Sequence, residues 1–158
     1  MPGYGVQPAD EGTGLLPWSW AVERLAGSHD YWLATTWFGK GSPHVMPVWG
    51  VWWREALWFS CGLRSRKAQN LTNDPRCVLA TDDARNPVVV EGTAGRVTDH
   101  DTIAAFNDAV NTKYETSYSV DFYDPAVNGV FRVEPTAAFG VAEADFTGSP
   151  TRWTFADG

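Results

Sequence analysis

With 158 residues the chain has room for one domain and can bury a sizeable core, and a hydrophobic share of 44% sets aside disordered and fibrous classes. Twelve Lys and Arg against nineteen Asp and Glu give a net charge of −7, which disfavours nucleic acid or an anionic membrane as the main partner, since both need an electropositive surface. No stretch approaches the ~20 apolar residues of a membrane span, and Cys61 and Cys77 match neither metal-ligand spacing nor a disulfide framework.

In chain order, residues 1–16 read as a flexible tail, rich in Gly and Pro up to residue 14, ahead of one domain over 17–158. The tail lacks a basic segment followed by an apolar run, so a cytoplasmic protein with reduced thiols is expected. Pro17 opens a helix over about 17–27 with Trp18, Val22 and Leu25 on one face. The period then changes to that of strands: residues 31–37, a Gly-Lys-Gly-Ser-Pro turn over 39–43, and a long strand from His44 to Trp53. Both faces of the long strand are largely apolar, so it should be covered on both sides, by the barrel interior and by a second layer or subunit. Pro47 cannot donate to a ladder and marks a bulge or an edge.

Arg54-Glu55 turns into a strand over 56–61, and a short helix over 66–73 stops at Pro75. Strands follow at 76–82 and 87–98, the second with Gly92 and Gly95 as bend points. A helix over 99–114 is capped by Asp99 and striped by Ile103, Phe106, Val110 and Tyr114. Strands at 129–134, 137–145 and 151–156 complete the chain. Many short strands with few helices argue for a mainly β, closed barrel. Nine Trp, eight Phe and five Tyr supply planar surfaces for a core, an interface or the walls of a flat-ligand pocket.

The sharpest chemical signal is Arg64-Ser65-Arg66-Lys67, a quarter of the basic residues in four positions. Ser65 is a good N-cap, which puts Arg66 and Lys67 in the first turn of the short helix. A helix N-terminus already carries about half a positive charge, and each cation placed there costs about 0.3–1 kcal/mol. The arrangement makes sense where an anion sits on the free backbone N–H groups, the Ser65 hydroxyl and the cationic heads. Asn70-Leu71-Thr72 fits the glycosylation pattern by chance, in a chain without a secretion signal. The three histidines do not cluster with carboxylates for a metal, and no Ser-His-Asp or paired-carboxylate pattern stands out. That suits a protein whose cofactor does the chemistry.

At this point the sequence resembles the pyridoxamine 5′-phosphate oxidase-like superfamily, and more closely its actinobacterial branch of flavin/deazaflavin oxidoreductases. The resemblance runs through residues 31–36, the run from Gly41 to Trp52, Leu57 to Gly62, Ser65-Arg66-Lys67-Ala68-Gln69-Asn70-Leu71 with Asp74-Pro75-Arg76, Val90 to Ala94 and Thr151 to Phe155. It implies a six-stranded antiparallel split β-barrel, homodimeric, with two cofactors between the subunits. It implies further that Arg66 and Lys67, with Ser65, grip the cofactor phosphate, and that Met46, Pro47, Val48 and Trp49 with Phe59 and Ser60 flank the ring. Arg152 on the last strand is a further candidate for the cofactor tail, or else a surface ion pair. The vitamin B6 oxidases carry an Arg at the start of the long strand and a Lys further along it. Here neutral or apolar residues around His44 and Trp49 stand in those places, which favours coenzyme F420 over FMN and sets B6 oxidation aside. The expectation is an F420-dependent oxidoreductase acting on a small planar organic substrate. An FMN-binding oxidoreductase and a non-catalytic cofactor-binding protein are the alternatives. No catalytic side chain is assigned beyond His44 as a candidate proton donor, and no metal is expected.

Overall fold

The computed structural model describes residues 15–155. The expected N-terminal tail up to residue 14, and residue 156 of the last expected strand, lie outside the described residues. Helix α1 (Trp18–Gly27) starts at Pro17, whose fixed φ suits the first turn. The strands β1 (Asp30–Thr36), β2 (Pro43–Trp53) and β3 (Ala56–Gly62) form a meander, and Arg54 and Glu55 make its tight second turn with φ of 50° and 57°. Helix α2 (Arg66–Asn73), strands β4 (Arg76–Thr81) and β5 (Val88–Val97), helix α3 (His100–Tyr114), and strands β6 (Asn128–Gly140) and β7 (Thr151–Thr154) follow.

All pairings are antiparallel, in the order β3-β2-β1-β4-β5-β6, and a β3–β6 pairing closes the ring. The barrel is therefore the six-stranded one expected. A seventh strand, β7, hangs on the outer half of β6: Asn128–Val133 of β6 pairs with β3 and Ala137–Gly140 pairs with β7. The two strands expected at 129–134 and 137–145 are one strand, ending at Gly140, with a short 3-10 turn at Glu143–Asp145 beyond it. Pro135 does not interrupt it, because it lies at a β-bulge: Glu91 pairs with Ala137 and Gly92 with Pro135, leaving Thr136 as the extra residue. Of the two bend points expected in β5, the register shift falls at Gly92.

Alternation sorts the strands into two cores. Tyr31, Leu33, Val48, Leu57, Phe59, Leu79, Val90 and Val133 fill the barrel interior. Helix α1 closes one end with Ala21 and Leu25, assisted by Trp18, whose ring meets those of Trp52, Trp153 and Phe155 edge-on. Helix α2 contributes Ala68 and Leu71 at the other end. Helix α3 packs outside the barrel, with Ile103, Phe106 and Val110 against Val51, Trp58 and Val130. Tyr114, the last residue of the expected stripe, is partly buried against the same cluster; its hydroxyl accepts from Gly50 N at 2.8 Å and donates to His29 O at 2.6 Å. Coverage by α3 ends there. The first half of β2 keeps an uncovered outer face, with Val45 and Trp49 about half exposed.

Candidate cofactor site

Strand β2 changes partners at Gly50. Residues Pro43–Trp49 pair only with β1, whereas Gly50–Trp53 pair with β3. Beyond Phe59, strand β3 pairs only with β6 through Ser60–Gly62. The two strands thus splay apart after Gly50 and Phe59, and the barrel is split there. Pro47 lies in the single-sided stretch, where a missing N–H is tolerated.

Directly paired residues share a face of the sheet, and the register divides the expected ring-contacting residues. Pro47 and Trp49 share the outer face with Trp32 and Asp30, their partners on β1, and Ser60 lies outward with Val130. His44, Met46 and Val48 face inward with Thr35, Leu33 and Tyr31. The side chains of Val48 and Phe59 are core, 6% and 0% exposed, so they offer a ligand in the opening only their backbone. Trp49 stacks on Tyr114, with ring centres 4.3 Å apart and planes within 4°, and stays 47% exposed. Its free face is an indole platform beside the split.

At the α2 end of the opening, Ser65 caps the helix by accepting from Ala68 N at 3.3 Å. The first turn holds Arg66 and Lys67 and no acidic residue. Among the described residues none of Lys40, Arg64, Arg66 and Lys67 has a carboxylate within 4.0 Å. Arg76, beyond the other end of α2, differs: Asp74 binds it through two side-chain hydrogen bonds of 2.9 and 2.7 Å, which hold the Asp74 carboxyl at about 2. The acid at the C-terminal end of the helix is thus spent on Arg76. Burial pushes the Cys61 thiol up, while a hydrogen bond with Ser65 and the Lys67 charge pull it back.

Lys40 and Trp37, absent from the sequence-derived site, complete this corner. The Trp37 ring carries the Lys40 ammonium at 4.5 Å and the Arg66 guanidinium at 4.8 Å, and its edge meets His44 at 5.7 Å. A Lys between two glycines in a turn gives no sequence signal for such a contact. His44 also lies 3.5 Å from Thr35 Oγ1 through Nδ1, so it stands on the α2 side of the opening. Arg152 is remote from this corner in register and donates to Glu91 at 3.1 Å on the outer face. Among the described residues no group of three or more His, Cys, Asp and Glu is arranged to hold a metal, and no helix is long and apolar enough to cross a membrane.

The arrangement offers a slot between splayed strands, an aromatic platform on its outer side, and an unneutralised cationic corner at one end. Those are the parts needed to hold a planar ring with a phosphate-bearing tail. A family described as pyridoxamine 5′-phosphate oxidase matches residues 21–142. Among solved structures, the chain is similar to an F420 reductase at 25% identity and a TM-score of 0.61, over 73% of this chain and 93% of that one. It is also similar to a conserved hypothetical protein from Mycobacterium tuberculosis, at 23% identity and a TM-score of 0.68, over 84% and 86%. A heme binding protein from Mycobacterium smegmatis matches at 20% identity and a TM-score of 0.62, over 88% of this chain and 59% of that one. The last two likenesses speak to the fold alone. No curated protein matches the chain.

Proposed function

The chain belongs to the pyridoxamine 5′-phosphate oxidase family, and from that premise we propose that it is a cytoplasmic, homodimeric oxidoreductase that uses coenzyme F420 on a small planar organic substrate. One observation carries the reading: a Ser-capped helix start bearing Arg66 and Lys67, neither with a carboxylate partner among the described residues, set at the end of the split between β2 and β3. The F420 reductase likeness at 25% identity supports the deazaflavin over FMN.

In this reading Ser65, Arg66 and Lys67 bind the phosphate, with the α2 N–H groups adding to their charge. The backbone of Met46 to Trp49 and of Phe59 and Ser60 borders the ring, and Pro47, Trp49 and Ser60 present side chains on its outer side. When bound, the deazaflavin supplies two-electron hydride chemistry. The protein's part is to orient the ring, cover one side of the slot and leave the other to substrate, while solvent delivers the proton. His44 serves as a wall of the phosphate corner. Arg152, held by Glu91 on the outer face, reaches a cofactor only across the dimer interface.

The test is to titrate the purified protein separately with F420, FMN and haem, followed by fluorescence and absorbance, and then to assay the loaded protein with quinones and enones. Tight F420 binding with turnover of an enone is expected. Binding of FMN alone, or of haem alone, overturns the F420 assignment, and F420 binding without turnover across the panel makes the protein a cofactor carrier.

A further inference from the structure

Asn70 lies one turn beyond Arg66 on α2 and is 0% exposed. Its Oδ1 accepts from Phe38 N at 2.9 Å, and its Nδ2 donates to Thr35 Oγ1 at 2.9 Å. Both partners belong to the end of β1 and the loop into β2. That loop folds back on itself: Lys40 N and Gly41 N both donate to Trp37 O, at 3.1 and 2.9 Å, and Gly39 and Gly41 have φ of +81° and +72°. The fold-back sets Lys40 over the Trp37 ring, which also faces Arg66. The buried amide thus ties two cation-bearing segments together, α2 with Arg66 and Lys67, and the β1–β2 loop with Lys40.

A buried amide is costly unless its bonds are met, and here Oδ1 and Nδ2 each have a partner at 2.9 Å. What the amide adds is direction, since two short bonds at fixed angles set the loop against the helix. Like charges held on one indole also gain little on their own, about 0.5–1 kcal/mol per exposed cation–π contact. The arrangement is explained once an anion lies between the arms.

We propose that Asn70 is the positioning residue of a two-armed anion site, holding Trp37 and Lys40 of the β1–β2 loop against Arg66 and Lys67 of α2 so that both arms close on the same phosphate-bearing tail. The inference rests on the phosphate reading of Ser65 to Lys67 given above. Asn70 touches no ligand in it. Its effect is exerted through Lys40, to which it makes no hydrogen bond among those of the described residues.

That separation makes a double-mutant cycle decisive. Dissociation constants are measured for whichever of F420 and FMN binds the full chain, in the wild type, Lys40→Ala, Asn70→Leu, the double variant and Lys67→Ala. Circular dichroism confirms folding of each. Lys40→Ala and Asn70→Leu are each expected to weaken binding about tenfold, and the double variant to bind no more weakly than Asn70→Leu alone. Should Asn70→Leu not fold, Thr35→Val replaces it in the same cycle, because it removes the acceptor of Asn70 Nδ2. Strictly multiplying losses would reduce Asn70 to a structural residue and overturn the inference, and so would full affinity in Lys40→Ala beside a loss in Lys67→Ala. Unchanged binding in Lys67→Ala, or no binding of either coenzyme, overturns the phosphate reading itself and this inference with it.

Discussion

Lys67 and Arg76 flank the two ends of α2 in opposite electrostatic surroundings. Arg76 has Asp74 at 2.7 Å, while Lys67 has the positive end of the helix and no carboxylate within salt-bridge distance among the described residues. A charge left unneutralised at a helix N-terminus is a standing demand for an anion. We therefore expect Lys67→Ala to weaken F420 binding by about 1.5–3 kcal/mol, the range for a hydrogen bond to a charged group, with little effect on melting temperature. Equal affinity of variant and wild type in a fluorescence titration would move the phosphate elsewhere. Lys113 poses a different residue-scale problem. It donates to Gly50 O at 2.7 Å and to Tyr31 OH at 3.1 Å, and burial lowers its ammonium to about 8 from an ordinary 10.5. Between those values the unfolded chain holds a proton that the folded chain has released, so this group makes stability rise with pH across the interval. Denaturant unfolding of the wild type and Lys113→Met at a series of pH values from 7 upward should show the wild type gaining relative to the variant above pH ~8. A flat difference would mean that Lys113 keeps its ordinary affinity for protons.

At the scale of elements, what could be read from the sequence depended on whether the signal was local. Helix α2 and its corner were legible because a Ser cap, a charge triplet and a stopping Asp-Pro are all neighbours in sequence. The partner arm was not, since Asn70 reads as an ordinary helix residue, and Lys40 meets Trp37 only through the fold-back of a glycine-flanked turn. The same division explains β6. Pro135 looks like a strand break in sequence, yet a bulge opposite Gly92 absorbs it, and the strand runs on from β3 to β7 as partners. The long strand's two apolar faces were legible as well. That α3 would cover only the part from Trp49 onward was not, because it depends on where that helix docks. The bulge gives a sharp prediction. A Cβ on Gly92 would run into the Glu134 carbonyl and lie 2.9 Å from Val133 Cγ1, both on the rigid facing strand. Gly92→Ala should cost about 1–3 kcal/mol, as overpacking a core does. Gly95→Ala, where the added Cβ would meet only the Arg132 carbonyl at 3.9 Å, should cost far less. Urea unfolding of the two variants side by side checks the difference, and equal losses would place the constraint outside the bulge.

The whole molecule presents one broad outer face whose character is unlike the rest of an acidic surface. Cross-strand register lines up Trp49 and Pro47 on β2, Trp32 on β1, Ala80 on β4, Val89 on β5 and Phe139 on β6, with Val45 beside Ala34 and Val78. Trp32, Val45 and Trp49 are 49%, 50% and 47% exposed. Contiguous apolar surface of this kind on the outside of a barrel marks an interaction face, and the split between β2 and β3 opens along its margin. A second copy seated there would cover the outer side of β2 and place each cofactor slot at the subunit boundary, as the homodimer proposed above requires. Each copy carries −7, so association has to overcome long-range repulsion, and added salt should tighten the dimer by screening it. Val45→Glu puts a carboxylate on the β2 side of the patch, on a half-exposed side chain outside the interior core. Sedimentation should show a dimer for the wild type, tighter at higher salt, and a monomer for Val45→Glu. The monomer should bind F420 more weakly although Ser65, Arg66 and Lys67 are intact, because each slot would lack the wall that the other subunit supplies. A wild-type chain that sediments as a monomer with full F420 affinity would show that the slot is complete within one subunit and that this face serves another purpose.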